Sequence, residues 1–168
     1  MKIGLVFGTF APMHLGHVDV INIAKEEMDK VVVVCCGHEG ERGYPLFPIA
    51  RRFELVKTEF EADPQIVVTM LVDTDPRIKE HWDQQQIWNY WVDRMLLHLF
   101  QKGNIHAEDE LMYYTSEADY AELIEATPQH IKVHLCERIR PISGTKIREN
   151  MDEYKDQIVG SYRDYLEE

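Results

Sequence analysis

The sequence predicts an α/β protein built on a doubly wound parallel sheet of five strands, and three observations carry the expectation. Short apolar stretches, rich in Val and Ile, alternate along the chain with segments of helical spacing. The clearest of them, Lys30–Cys36, is apolar continuously rather than alternately, as a strand covered on both faces is. Loops bearing glycine or proline follow the runs, at the edge where open sheets of this kind bind ligands. Right-handed crossovers then give a parallel, doubly wound sheet, and 3-2-1-4-5 is the simplest strand order for it. That order puts the loops after strands one and four at the switch point of the winding.

The first strand is Lys2–Phe7, and the helix after it runs from about Leu15 to Met28. Between them lies Gly8-Thr9-Phe10-Ala11-Pro12-Met13-His14-Leu15-Gly16-His17. Gly8 lets the backbone turn sharply off the strand and leaves room for a ligand, while Pro12 stiffens the loop. The free amides at the helix start form a partial positive charge suited to phosphate. His14 and His17, three residues apart, fall on one side of the first turn and point toward whatever those amides hold, which suits charge stabilisation. Two plainer readings stand beside this one: ordinary surface residues at a helix start, or a zinc site. The second needs a distant third ligand, because the stretch supplies no cysteine or carboxylate.

The loop after strand two, residues 37–45, holds Arg42, which either reaches a ligand phosphate or is solvated. Pro48 opens a helix to about Glu61 with Phe53, Leu55, Val56 and Phe60 on its inner side. Arg51 and Arg52 lie in its first turn, where the dipole disfavours a cation, so one of them is expected to have an anionic partner. The third strand, Gln65–Val72, leads into Asp73-Thr74-Asp75-Pro76-Arg77. Trp82, Trp88 and Trp91 follow in one window, and positions 88, 92, 95, 96 and 99 repeat at helical spacing. Trp88 therefore reads either as a core residue or as an indole stacked on a flat aromatic ligand.

The fourth strand, Glu110–Thr115, ends in Tyr113-Tyr114-Thr115-Ser116-Glu117. Thr115 or Ser116 can cap the helix Ala118–Ala126, and Glu117 either complements that helix's dipole or binds ribose hydroxyls. Strand five is Ile131–Cys136. A further helix starts at Ser143-Gly144-Thr145, where small residues expose amides and Arg148, one turn in, presents a fork that matches phosphate oxygens. A plain N-cap followed by a surface arginine is the alternative. Residues 151–168 read as one charged amphipathic helix, or two short ones broken near Gly160.

One domain over residues 1–168 fits the length, and 45% hydrophobic with 29% charged residues is the composition of a globular protein. A net charge of −12, from 18 basic and 30 acidic residues, repels a nucleic-acid backbone and argues against that partner. Against this background Arg138, Arg140, Lys146 and Arg148 form a basic island suited to a small anion. Cys35, Cys36 and Cys136 lack C-x-x-C spacing and read as reduced core residues of a cytoplasmic protein. No signal-peptide pattern or bilayer-length apolar run occurs, so no membrane partner is expected.

The stretch from Gly8 to His17 resembles the G-x-F-x-P-x-H-x-G-H signature of the nucleotidylyltransferase superfamily, which transfers AMP or CMP from a nucleoside triphosphate. Ile142-Ser143-Gly144-Thr145-Lys146-Ile147-Arg148 resembles that superfamily's I-S-[GS]-T-x-I-R. With Tyr113–Glu117 and the Trp88/Trp91 pair, these stretches look like the nicotinamide mononucleotide adenylyltransferase domain of NadR-type proteins. The resemblance implies a Rossmann-like fold that takes ATP and nicotinamide mononucleotide to NAD and pyrophosphate. It assigns His14, His17, Ser143, Thr145 and Arg148 to the ATP phosphates, with His14, His17 and Arg148 catalytic. Gly8, Thr9, Phe10, Glu117 and Gly144 complete the expected ATP site, and Arg42, Asp73, Trp88 and Trp91 the expected acceptor site.

Magnesium (Mg2+) is expected on the ATP phosphates, with no metal held by the protein alone. Two other functions fit the same residues: adenylylation of another phosphate monoester such as phosphopantetheine, and a nucleotide-binding module that senses NAD or ATP without turnover. No G-x-x-x-x-G-K-[ST] occurs, so the ribosylnicotinamide kinase activity of NadR-type proteins is expected to be absent, whether the chain is stand-alone or excised. The apolar belt around Trp88 permits a homo-oligomer without requiring one.

Overall fold

The computed structural model describes residues 1–37, 46–73 and 79–168. The strands are β1 (Lys2–Gly8), β2 (Lys30–Gly37), β3 (Ile66–Val72), β4 (Glu110–Thr115) and β5 (Lys132–Leu135), and they form one sheet in the order β3-β2-β1-β4-β5. Every neighbouring pair is parallel. The helices are α1 (Leu15–Glu27), α2 (Ile49–Phe60), α3 (Gln84–Gln101), α4 (Ala118–Glu125), α5 (Gly144–Glu149) and α6 (Gly160–Leu166). A 3-10 turn, Lys155–Gln157, precedes α6.

β2 shows why its run is continuously apolar. Val31, Val33 and Cys35 face one core with α1 and α2, while Val32, Val34 and Cys36 face the other with α3 and α4. Alternate Cβ atoms leave a strand on opposite sides, so a strand buried on both needs apolar residues at every position. Each such Val withdrawn from water contributes about 1.5–3 kcal/mol.

Three local expectations are corrected. α3 starts at Gln84, ahead of Trp88, because Asp83 caps it: Asp83 Oδ1 accepts from the Gln86 N–H at 2.8 Å and Gln86 Oε1 from the Asp83 N–H at 2.9 Å. Its buried residues are Trp91, Val92, Met95 and Leu99, so Trp91 rather than Trp88 anchors the stripe. In α2 the buried residues are Ile49, Arg52, Leu55 and Val56, with Phe53 and Phe60 only half-buried. The anionic partner expected for one of the two arginines is found: Arg51 pairs with Glu54 on the surface, whereas Arg52, 1% exposed, donates to the Thr9 carbonyl at 2.7 Å. At the start of α4 Glu117 occupies the N-cap position without a side-chain cap bond, and Thr115 Oγ1 accepts the Glu117 N–H at 3.1 Å.

The C-terminal segment takes the two-piece form and is not a loose tail. Ile158 forms an antiparallel bridge with His14, and Tyr162 is fully buried against Phe47. Cys35, Cys36 and Cys136 are buried thiols outside any disulfide, and burial pushes the Cys136 thiol up to about 11. Among the described residues no helix is long and apolar enough to cross a membrane.

Candidate active site

β1 delivers the chain to the centre of the sheet, and His14 caps the helix that leaves it. The cap is reciprocal: the Gly16 N–H donates to His14 Nδ1, and the His14 N–H to His17 Nδ1, both at 3.1 Å. A ring nitrogen that accepts an N–H carries no proton, so the neutral rings hold theirs on Nε2. The rings stack with centroids 3.8 Å apart, and the edge of Phe10 meets His17 at 5.0 Å. Burial, reinforced by Arg138, lowers the His14 pKa from 6.5 to about 4. Burial, then the neighbouring His14, holds His17 well below its ordinary value. Near pH 7 the pair is therefore two neutral imidazoles, each with one Nε2–H to donate.

Gly16 makes this possible. A Cβ there would lie 2.8 Å from His14 Cε1 and 2.9 Å from Nδ1, so any larger residue displaces the ring from its cap. Phe10 adopts φ +51, a left-handed conformation costing roughly 1–3 kcal/mol for a residue with a side chain.

From the far side of the switch point, Ser143 caps α5 by accepting the Lys146 N–H at 3.2 Å. Arg148 reaches back across the crevice, donating to the Ala11 carbonyl at 2.8 Å and to Thr145 Oγ1 at 3.3 Å. The two sequence motifs thus touch. Glu117 pairs with Arg138, and Arg140 makes a two-pronged contact with Asp19 of α1 at 2.6 and 3.2 Å.

At the β3 end the wall changes character. Asp73 holds Lys79 at 2.7 Å, and Lys79, only 9% exposed, sits 5.4 Å from the centre of the Tyr90 ring. Trp88 is half-buried between Phe7, at 5.8 Å, and Tyr120, at 4.9 Å. Trp91 is 8% exposed and packs on Phe7 at 6.1 Å. Both indoles line the cavity: Trp91 does so from the core, where it is almost wholly buried, and Trp88 from a half-buried place on the wall.

Arg42 lies outside the described residues. Every other residue expected at the ATP and acceptor sites lines one cavity of about 850 Å³. That cavity also takes Asp19, Lys79, Tyr120, Arg138 and Arg140, which sequence reasoning left out of the site. The basic island was a usable signal for the arginines. Asp19 carried none, because its partner Arg140 lies 121 positions along the chain, and Lys79 stood out by neither motif nor periodicity. Among the described residues no group of three or more His, Cys, Asp and Glu stands together as a metal site.

Residues 5–150 match the cytidylyltransferase-like family model. The NadR protein of Escherichia coli, a trifunctional NAD biosynthesis and regulator protein, is 25% identical over 93% of this chain and 38% of its own length. A phosphopantetheine adenylyltransferase from Lawsonia intracellularis is 31% identical, but over only 40% of this chain and 38% of that protein. Crystal structures of NadR protein in complex with NR, and with NAD and AMP-PNP, superpose with TM-scores of 0.77 and 0.75. Both are 28% identical and cover 98% of this chain but 46% of theirs, so the chain corresponds to less than half of these relatives. With both motifs meeting in one crevice and the family model running from within β1 to past α5, the chain belongs to the cytidylyltransferase-like family.

Proposed function

We propose that the chain is a nicotinamide-nucleotide adenylyltransferase, joining nicotinamide mononucleotide to the AMP part of ATP to give NAD and pyrophosphate. The observation that carries the reading is the stacked, neutral His14/His17 pair on the first turn of α1, in one cavity with Arg148 at one end and Trp88 at the other. In the reaction, an oxygen of the acceptor phosphate forms a bond to the α-phosphorus. The bond from that phosphorus to the bridging oxygen of the β-phosphate breaks, and its electron pair leaves with pyrophosphate.

The chain's part is alignment and charge stabilisation rather than covalent attack. His14 and His17 donate Nε2–H bonds to phosphate oxygens, already oriented by their Nδ1 bonds to the backbone. Arg148 offers its guanidinium to the same phosphates, and Trp88 with Tyr120 provides an aromatic wall for a flat base. Magnesium enters as part of the nucleotide substrate, and no step runs through a metal caged by the protein.

The extent of the NadR likeness, nearly the whole chain, supports nicotinamide mononucleotide as acceptor. The shorter stretch shared with phosphopantetheine adenylyltransferase favours a second reading, in which the fold and donor are kept and phosphopantetheine accepts. An endpoint assay with ATP, magnesium and each acceptor in turn, NAD being detected through a coupled dehydrogenase, separates them. NAD formation is the expected outcome. Pyrophosphate release with phosphopantetheine alone would transfer the assignment to the second reading. Calorimetric ATP binding without turnover on either acceptor would leave a nucleotide sensor.

A further inference from the structure

Four carbonyls of the β1–α1 loop accept donors from distant parts of the chain. Thr9 O takes Arg52 Nη1 at 2.7 Å, Phe10 O the Tyr162 hydroxyl at 2.7 Å, Ala11 O Arg148 Nη1 at 2.8 Å, and Met13 O the Val159 N–H at 3.2 Å. A peptide unit is planar, so holding the carbonyl of one residue across a trans bond also aims the N–H of the next, in the opposite direction. Arg52 and Tyr162 thereby set the amides of Phe10 and Ala11. Val159 sets the amide of His14, which is the donor to His17 Nδ1 at 3.1 Å. The C-terminal segment thus reaches the imidazole pair through one peptide unit, and its Ile158 bridges His14 directly. Phe10, at φ +51, needs such a hold, because a residue with a side chain leaves that conformation when nothing opposes it.

We infer that Tyr162 is a positioning residue of the nucleotide site. Through the Phe10 carbonyl its hydroxyl keeps the loop in the geometry that presents the loop amides and His17 to the triphosphate, so residues 158–162 belong to the catalytic unit. The catalytic consequence rests on the adenylyl-transfer reading above; the tether rests on the geometry alone. Tyr165, on the same helix, supplies the internal control. Its hydroxyl bonds the Leu46 carbonyl at 2.8 Å, tying α6 down without touching the loop.

Tyr162→Phe keeps the ring, which packs on Phe47 at 5.5 Å, and removes only the hydroxyl. The expected result is kcat lower by about tenfold with the acceptor KM within about twofold, since misalignment acts on the reacting complex more than on binding. Amide hydrogen exchange at Phe10 and Ala11 should also quicken. Tyr165→Phe should lower the thermal midpoint and change neither. A kcat for Tyr162→Phe within about twofold of wild type, or unchanged exchange at the two amides, overturns the inference. If the wild-type chain forms no NAD, the acceptor assignment fails instead; the exchange measurement needs no substrate and still decides the tether.

Discussion

In the proposed mechanism the cavity has a phosphate end, where the working groups are held by the backbone, and an acceptor end, where they are held by other side chains. His14 and His17 are fixed through Nδ1 to main-chain amides, and Arg148 spans to a main-chain carbonyl. Asp73, Lys79 and Trp88 are placed by an ion pair and by tilted ring contacts contributed from β1, α3 and α4. Backbone partners come with the local fold, so a short motif specifies them. Side-chain partners must be brought together by the tertiary structure. The first end therefore tolerates few substitutions and the second can be retuned, which fits a family whose relatives carry different acceptors in their names.

The contrast is tested most severely at Trp91. The indole is buried and packs into the core with Val92 and Met95, so Trp91→Ala should cost about 3–5 kcal/mol of stability, read by urea or thermal unfolding. A loss below about 1 kcal/mol would show that the acceptor end does not share its aromatic wall with the core.

At the phosphate end, His17→Ala removes one preoriented donor and should lower turnover by more than about a hundredfold, roughly 3 kcal/mol of transition-state stabilisation, with the fold intact. Near-normal turnover in a folded variant would return the pair to a purely capping role.

The same pair gives the phosphate end a pH signature. Unfolded, His14 binds a proton below about 6.5; folded, it stays neutral down to about 4. Its contribution to stability is therefore complete above pH 6.5 and lost as the pH falls toward 4. At about 1.4 kcal/mol per pH unit, that loss approaches about 3 kcal/mol. In His14→Asn an amide oxygen can replace Nδ1 as the cap acceptor without titrating. Unfolding free energies from pH 7 to 4 should then fall less steeply in the variant than in wild type. Parallel curves would mean that the native ring takes up its proton at an ordinary pH.

The same division explains what the sequence made legible. The parallel doubly wound sheet followed from five apolar runs and the handedness of their crossovers, with the simplest strand order the one found, and the histidine pair from a spacing of three residues within one helical turn. The start of α3 was also written locally, in Asp83 and Gln86, but the more conspicuous tryptophans drew the boundary inward. Arg51 and Arg52 are both cations at the disfavoured head of a helix, and while Arg51 has its anionic partner in Glu54, nothing local says where Arg52 goes. Its partner Thr9 O is a main-chain carbonyl, which any residue supplies and no residue type announces. The tether from Tyr162 to Phe10 joins groups 152 positions apart and has no local signature at all. Polar contacts between distant segments are the part of the site that folding, rather than motif, specifies.

Trp88 gives the mildest test and the one that bears most directly on the acceptor. It is half-buried, its ring caught between Phe7 and Tyr120 in the cavity wall, and it lies away from the Arg148 end that takes the triphosphate in the proposed mechanism. Removing the indole should weaken nicotinamide mononucleotide by about tenfold, near the upper range for one aromatic stacking contact, and leave ATP nearly unchanged. Calorimetric titration of each ligand into Trp88→Ala, beside an unfolding curve, reads both effects. Equal weakening of the two ligands together with lowered stability would place Trp88 with Trp91 as a core residue, and the acceptor end would then have to recognise its substrate through Asp73, Lys79 and Tyr120 instead.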